Sequence, residues 1–453
     1  MRLDPATRRI AAVVVVGALL SLLDGTMVGV GLETIARDLG AGLAGAQWVA
    51  HGYLLALAVS LPACGWLARR IGAGRLWLLA LAGFTLASAL CAAAPTLGLL
   101  VAARVVQGLA AGLLVPAGQT LLGQAVGPRR LGRVMAVLAS AVSVGPALGP
   151  VLGGLVVEGL SWPWLFLVNL PIGAAGLVAG LRVLPRGEPR PTGTLDVVGL
   201  VLAGVGLSAL VYGVTAWGAA AGHRELALPL AVGALGLGLF VRRTLRHPRP
   251  LTDLRLFADR GYAAATACAT LTGAALFGSL LLFPLLFQLE RGASVIVTGL
   301  WLVGHGLGTA VAAPLAGRLT DRLGGARVAV AGCAGLVATT VPFALVDLGP
   351  LSTQVLLVLR GAAIGFAAVP PTVAAYAAVR PDQLPDATTQ LNALQRVGGA
   401  VGGALVATVL AATLPAGTRP AFAAAFWCLT AVSVFALAGA ALLVRGRVTA
   451  TGR

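Results

Sequence analysis

A chain of 453 residues with 58% apolar residues, 10% charged residues and a mean hydropathy of +0.95 lies far from a soluble domain, where about a quarter of residues are charged. The net charge of +17 is carried by arginine, because the chain has no lysine, and the arginines are spread over short loops. That dispersal excludes a basic nucleic-acid-binding domain and points to a membrane protein with unequally charged loops.

Apolar segments long enough to cross a bilayer core, which takes roughly 20 helical residues, are expected near 10–32, 47–68, 76–94, 97–118, 134–157, 163–184, 195–217, 226–241, 261–288, 294–316, 328–347, 351–378, 394–414 and 421–444. The first follows Arg8 and Arg9, as a signal peptide's apolar run would. Its length, its internal Asp24 and the lack of a small-residue cleavage site mark it as a retained span. Asp24 lies roughly 21 Å in from the start of that span at 1.5 Å per residue. After the second segment comes GWLARRIGAGR, which contains Gly65, Arg69 and Gly72. The fourth segment reads RVVQGLAAGLLVP from Arg104 and places Gln107 one turn on. Arg104 falls at roughly the same depth as Asp24, about 20 Å from the same side.

The fifth segment contains GPALGPVLGG. Glycine and proline cost about 1 and 3 kcal/mol in a helix interior in water, but membrane helices tolerate them because neighbours satisfy the freed backbone. Gly145, Gly149 and Gly153 fall on one face and allow close approach of a partner, Pro146 and Pro150 add a bend, and Gly154 ends the run. His305 lies in the tenth segment, and GRLTDRLGGAR follows it with Gly317, Asp321, Arg322 and Gly324. The twelfth reads RGAAIGFAAVP from Arg360. The five cysteines are scattered singly and the four histidines complete no zinc set, so no metal is expected. No GxxxxGK[ST] run is present either, so ATP is not the expected energy source.

Three of these features recur at an offset of eight segments: the arginine of segments four and twelve, the glycine loops after two and ten, and the small-residue runs of five and thirteen. The expected organisation is a six-helix bundle over 1–185, two inserted helices and a linker over 186–255, and a second six-helix bundle over 256–453. Parallel halves enclosing a midplane cavity are the plan of a rocking secondary transporter. Of the 32 arginines, 26 fall at the termini or in and beside the loops on one side. Only Arg37, Arg224, Arg291 and Arg419 lie on the other, and Arg104 and Arg360 lie within spans. The positive-inside rule then places both termini in the cytoplasm.

LDGTMVGVGL (from Leu23), QWVAHGYLLALA (from Gln47), RVVQG, GPALGPVLGG, SWPWLFLVNLPIG (from Ser161) and NALQRVGGAVGG (from Asn392) stand in order in spans one, two, four, five, six and thirteen. Together they resemble the fourteen-span drug:proton antiporter family of the major facilitator superfamily. The resemblance implies an all-α membrane fold of fourteen helices and an antiporter role for the fifth-span run. Three positions depart from the family pattern. Arg69 replaces a usual acid whose second copy is Asp321, Gly29 and Glu33 replace an Asn and a Pro, and Pro163 replaces an arginine. Arg69 is expected to repel Arg70 and Arg75, loosening the first loop and leaving closure to the second loop, where the resemblance implies that Asp321 with Arg322 and Arg327 bridges neighbouring helix ends.

A charge at mid-span costs about 2.5–3.5 kcal/mol and therefore faces a cavity or a partner. Asp24 and Arg104 are the expected proton-coupling residues, and Gln107, His305 and Arg360 the substrate-cavity candidates. The reading is a monomeric, proton-driven exporter of small organic compounds such as drugs in a bacterial inner membrane, using the proton gradient and no cofactor. Asp24, as the one deep acid, leaves a cationic or a neutral compound open. Proton-driven uptake and a transporter-like receptor without transport are the alternatives. The spans offer no clustered nucleophile, base or metal ligands for an enzyme.

Overall fold

The computed structural model describes residues 4–126, 130–187, 189, 193–218, 223–247 and 250–450, and these residues form helices joined by short turns. The order is α1 (Pro5–Asp38), α2 (Leu43–Ser60), α3 (Ala63–Ile71), α4 (Ala73–Ala92), α5 (Leu97–Val126), α6 (Leu131–Gly159), α7 (Trp164–Leu167) and α8 (Asn169–Val183). It continues with α9 (Val197–Gly218), α10 (His223–Arg246), α11 (Arg260–Leu285), α12 (Val295–Leu323), α13 (Gly325–Leu345), α14 (Pro350–Ala377), α15 (Leu384–Thr413) and α16 (Thr418–Ala450). By length and composition, 12 helices among the described residues are able to cross a membrane, or 13 if α2 and α3, bent by 58° at Leu61–Pro62, count as one. The fifth expected segment is also helical, as α6.

Local chemistry sets the boundaries. Prolines in the first turn open α1, α14 and α15, where a missing N–H is harmless. The Asp259 carboxylate accepts from Tyr262 N at 2.8 Å and starts α11. Gly72 (φ 90°) and Gly324 (φ 85°) end α3 and α12 in the same left-handed conformation, which disfavours any side chain. α11 closes with a single π turn at Leu286–Glu290.

Helix pairing repeats along the chain. In the first group α1 packs on α6, α2 on α5, and α4 on both α5 and α8. In the last group α11 packs on α15, α12 on α14, and α13 on both α14 and α16. Between the groups, α12 packs along α6, and α15 packs along α3 and α5. α9 joins α10 to the bundle and touches α2 and α15, one helix from each group.

The glycine faces make these pairings close. A Cβ at Gly149 would collide with the Thr26 hydroxyl, and one at Gly153 would lie 2.9 Å from Met27 O, both on α1. Gly145 faces Leu22 on the same helix, so α1 and α6 run side by side in one direction. A Cβ at Gly154 would meet nothing within 4 Å, and the side chains of Pro146 and Pro150 lie outside the described residues. In the last group Gly398 and Gly402 abut Thr270 and Ala274 of α11 in the same manner. A small-residue contact of this kind is what membrane helices use to gain dispersion contacts where lipid supplies no hydrophobic drive.

One boundary differs in a way that matters. The thirteenth segment was expected from residue 394, but α15 begins at Leu384. Its first three turns are rich in Asp, Thr, Gln and Asn, which hydropathy reads as loop. Packing against α3, α5 and α11 buries them as helix, and Arg396 moves from the edge of a span to its interior.

Candidate functional site

Asp24 of α1 sits at the centre of a buried polar cluster. The Arg104 guanidinium of α5 approaches its Oδ2 at 2.5 Å. Gln107 Nε2 and Asn169 Nδ2 both donate to Oδ1, at 3.0 and 2.8 Å. The rest of the cluster fixes those donors. Arg104 donates Nε to Val49 O at 3.0 Å and Nη1 to Gln107 Oε1 at 2.7 Å, while Gln107 and Asn169 also donate to Ser88 Oγ at 2.6 and 3.2 Å. The Tyr53 ring lies 4.0 Å from the Arg104 guanidinium carbon, and its hydroxyl donates to Ser21 O at 2.9 Å. Asp24, Ser88, Arg104 and Gln107 are 0% exposed, so the equal depth of Asp24 and Arg104 in the sequence is a direct contact.

Sequence reasoning missed Asn169, Ser88 and Tyr53. Asn169 had a signal, being the one amide in SWPWLFLVNLPIG, and it starts α8 because a short turn, α7, precedes it. Ser88 and Tyr53 had none, because single hydroxyls in apolar helices are common and only the fold shows what they meet.

Arg360 of α14 holds the corresponding place in the last group. It donates to Leu336 O at 3.3 Å, to Ser279 Oγ at 2.5 Å and to the Thr340 hydroxyl, and among the described residues no carboxylate reaches it. Its guanidinium carbon lies 5.5 Å from the Phe283 ring centroid. Gln107 and Arg360 are both fully buried among helices, and neither is presented to an open cavity. His305 of α12 is 8% exposed, and its backbone packs closely on α14: a Cβ at Gly361 would strike its carbonyl. The sequence left a cationic substrate open because Asp24 is deep and acidic. The structure gives every oxygen of that carboxylate a protein donor.

The two glycine loops lie at the face where α1 begins, and both bridge the helix groups. A Cβ at Gly65 would come 2.7 Å from Asp386 Oδ1, and one at Gly317 2.5 Å from Gly132 O. Asp321 accepts from Gly132 N at 3.1 Å and lies 3.7 Å from Arg133 Nε, at the start of α6. Arg69 is ion-paired with Asp386 at the start of α15 and donates to Leu251 O at 3.4 Å. This corrects the expectation of repulsion: Arg70 is exposed, and Arg69 turns instead to an acid that sequence distance concealed. Arg322 is exposed and is not a partner of Asp321. The same face is tied further by Thr120 Oγ1 to Thr388 Oγ1 at 2.9 Å, and by Gln119 Oε1, which accepts from Tyr376 OH at 2.9 Å and Asn392 Nδ2 at 2.6 Å. This face is shut across the seam between the groups.

A separate cavity of about 590 Å³ opens at the other end of the last group, among Phe287, Glu290, Arg291, Trp301 and Asp347. None of the expected site residues lines it.

The Major Facilitator Superfamily profile matches residues 14–403 and again 265–452. The chain is 36% identical over 417 residues to the Multidrug resistance protein B homolog of Mycobacterium tuberculosis, covering 90% of this chain and 77% of that one. It is 31% identical over 310 residues to the Multidrug export protein EmrB of Escherichia coli, covering 67% and 60%. Among solved structures, the proton:xylose symporter XylE superposes with a TM-score of 0.68 at 13% identity, covering 95% of this chain and 94% of that one. At that identity the likeness is one of fold.

Proposed function

This chain belongs to the Major Facilitator Superfamily, and on that premise we propose that it is a proton-coupled exporter of small organic compounds, working by alternating access in the bacterial inner membrane. It is a multi-pass transporter whose relatives are named for multidrug resistance and export. The proposed span count is fourteen, taking α2 with α3 as one bent span, α7 with α8 as one, and α6 as a span. The proposed bundles are 1–185 and 256–453, joined by the α9–α10 insert, in a monomer with both termini in the cytoplasm. The repeated helix pairing and the paired left-handed glycines support this division.

The observation that carries the reading is the fully buried Asp24–Arg104 pair. Asp24 accepts from three donors, and a proton on its carboxyl removes the charge that holds the Arg104 guanidinium. Loss of the Arg104 contact releases α1 from α5, and α1 is also the helix against which the α6 glycine face packs. Protonation thus acts on the helix contacts that must change when the two bundles rock. One charge moved through 100 mV is worth about 2.3 kcal/mol, enough to bias such an equilibrium. In the proposed orientation the shut face is cytoplasmic, and the structure is the state closed to the cytoplasm.

The test is flux in sealed proteoliposomes with an imposed pH gradient, using a dye substrate. Substrate accumulation that follows the gradient in the export direction supports antiport. Accumulation along the proton's own direction would show uptake instead, and binding without flux would show a receptor.

A further inference from the structure

Thr388, Asn392 and Arg396 lie four residues apart and therefore form one stripe along α15. The first two face the other helix group and are tied to it across the seam, through Thr120 and Gln119 of α5. Arg396 lies one turn farther from the shut face on the same stripe of α15. Its place on that stripe sets it at the seam between the groups, beyond the Thr388 and Asn392 contacts. Among the described residues it makes no hydrogen bond and no ion pair. The arginines of the fourth and twelfth segments are held: Arg104 by Asp24 and Gln107, and Arg360 by Ser279, Thr340 and Leu336 O. Arg396 is also half-buried, whereas those two are closed off. An unpaired guanidinium inside a membrane helix is costly unless water or a ligand meets it.

We propose that Arg396 is an anion-recognising subsite at the seam between the two helix groups, and that the transported compounds carry a carboxylate or a comparably compact anionic group. The assignment rests on the transport reading above. Two features support it. Asp24, the one described acid at mid-span, is spoken for by Arg104, Gln107 and Asn169, so the free charge in the seam is positive. The Asn392–Gln119 and Thr388–Thr120 bonds close the seam between Arg396 and the shut face, so a ligand that reaches the guanidinium comes from the side away from that barrier. Guanidinium supplies paired, planar donors that match a carboxylate.

Rhodamine B, which bears a free carboxylate, and its ethyl ester, which lacks it, form a matched pair of probes. Binding is measured by fluorescence polarisation to the purified full chain in nanodiscs of neutral lipid, without a pH gradient. A hydrogen bond to a charged group is worth about 1.5–3 kcal/mol, so the acid should bind at least about tenfold more tightly than the ester. Arg396→Lys should keep most of that preference, and Arg396→Gln should abolish it with an unchanged Tm. In the parent protein the acid, but not the ester, should protect Arg396 from phenylglyoxal, read by peptide mass spectrometry, so the proposal stays testable if Arg396→Gln does not fold. Equal affinity for acid and ester, no saturable binding of the acid, or a preference surviving in Arg396→Gln overturns the subsite. Gradient-driven flux is measured separately. Acid preference without flux would sink the exporter reading and leave the subsite, and flux without acid preference would do the reverse.

Discussion

The two helix groups place an arginine at the same point of their helix pattern but give it opposite company. Arg104 meets a carboxylate, two amides and the face of an aromatic ring. Arg360 meets two hydroxyls and a backbone carbonyl. Ser279 stands toward Arg360 as Asp24 stands toward Arg104, on α11 and α1 respectively. The shared arginine is thus a way of fastening helices, since in both groups it reaches from the fourth or twelfth segment to its neighbours. Only the acid adds a group that is able to take up a proton. The shut face shows a second contrast. One bridge sets the acid Asp321 in the last turn of α12 against the start of α6, and the other sets the base Arg69 in the last turn of α3 against the acid Asp386 at the start of α15. The polarity is reversed and both bridges are made. A departure from family pattern at one position is offset by its partner in the other group.

The largest expected effect breaks the first contrast. Asp24→Asn removes the titratable group of the buried pair, so gradient-driven flux should fall to background. Ser279→Ala should keep most of it. Equal losses in the two variants, measured at equal protein density in vesicles, would mean that Asp24 is only a fastener like Ser279.

Next come the paired glycine faces. Gly149→Leu on α6 and Gly402→Leu on α15 each push a side chain into α1 or α11, where overpacking costs about 1–3 kcal/mol. Transport should fall more than expression in both variants. Parent-rate flux from Gly149→Leu would remove the α1–α6 contact from the cycle.

The reversed bridge makes a sharper and smaller prediction. Arg69→Asp sets two carboxylates together at the seam, and Asp386→Arg sets two guanidinium groups together. The double variant restores an opposite pair with the polarity of the Asp321 bridge. Neighbouring residues couple by about 0.5–3 kcal/mol, so thermal melting should show each single variant less stable and the double variant recovering by about that amount. Additive losses would mean that the pair contributes nothing. At the bottom of the range, Arg322→Ala should change Tm and flux little, since substitutions at exposed positions away from such contacts stay within about 0.5 kcal/mol. Loss of closure in that variant, seen as cysteine labelling from the shut face, would return Arg322 to the bridge.

Much of this was legible in the chain. Hydropathy marked the helical segments, because twenty apolar residues in a row have few other uses. The eight-segment offset exposed the repeat, because a duplicated fold needs glycine at the same left-handed corners, Gly72 and Gly324. The depth of Asp24 and Arg104 followed from helix rise alone. Their contact did not, because lateral position depends on which helices pack together. Asn169 and Ser88 entered the cluster for the same reason.

What only the tertiary structure decided lies where polarity misleads a linear reading. The stretch from Leu384 to Arg396 is too polar to look like a membrane helix, yet it is one, because α3, α5 and α11 supply partners for its side chains. That single shift put Asp386 opposite Arg69 and carried Arg396 from the rim into the seam. Sequence determines how apolar a segment is and what period it follows. Whether a polar residue in that segment is solvated, paired or left waiting for a ligand depends on neighbours hundreds of positions away.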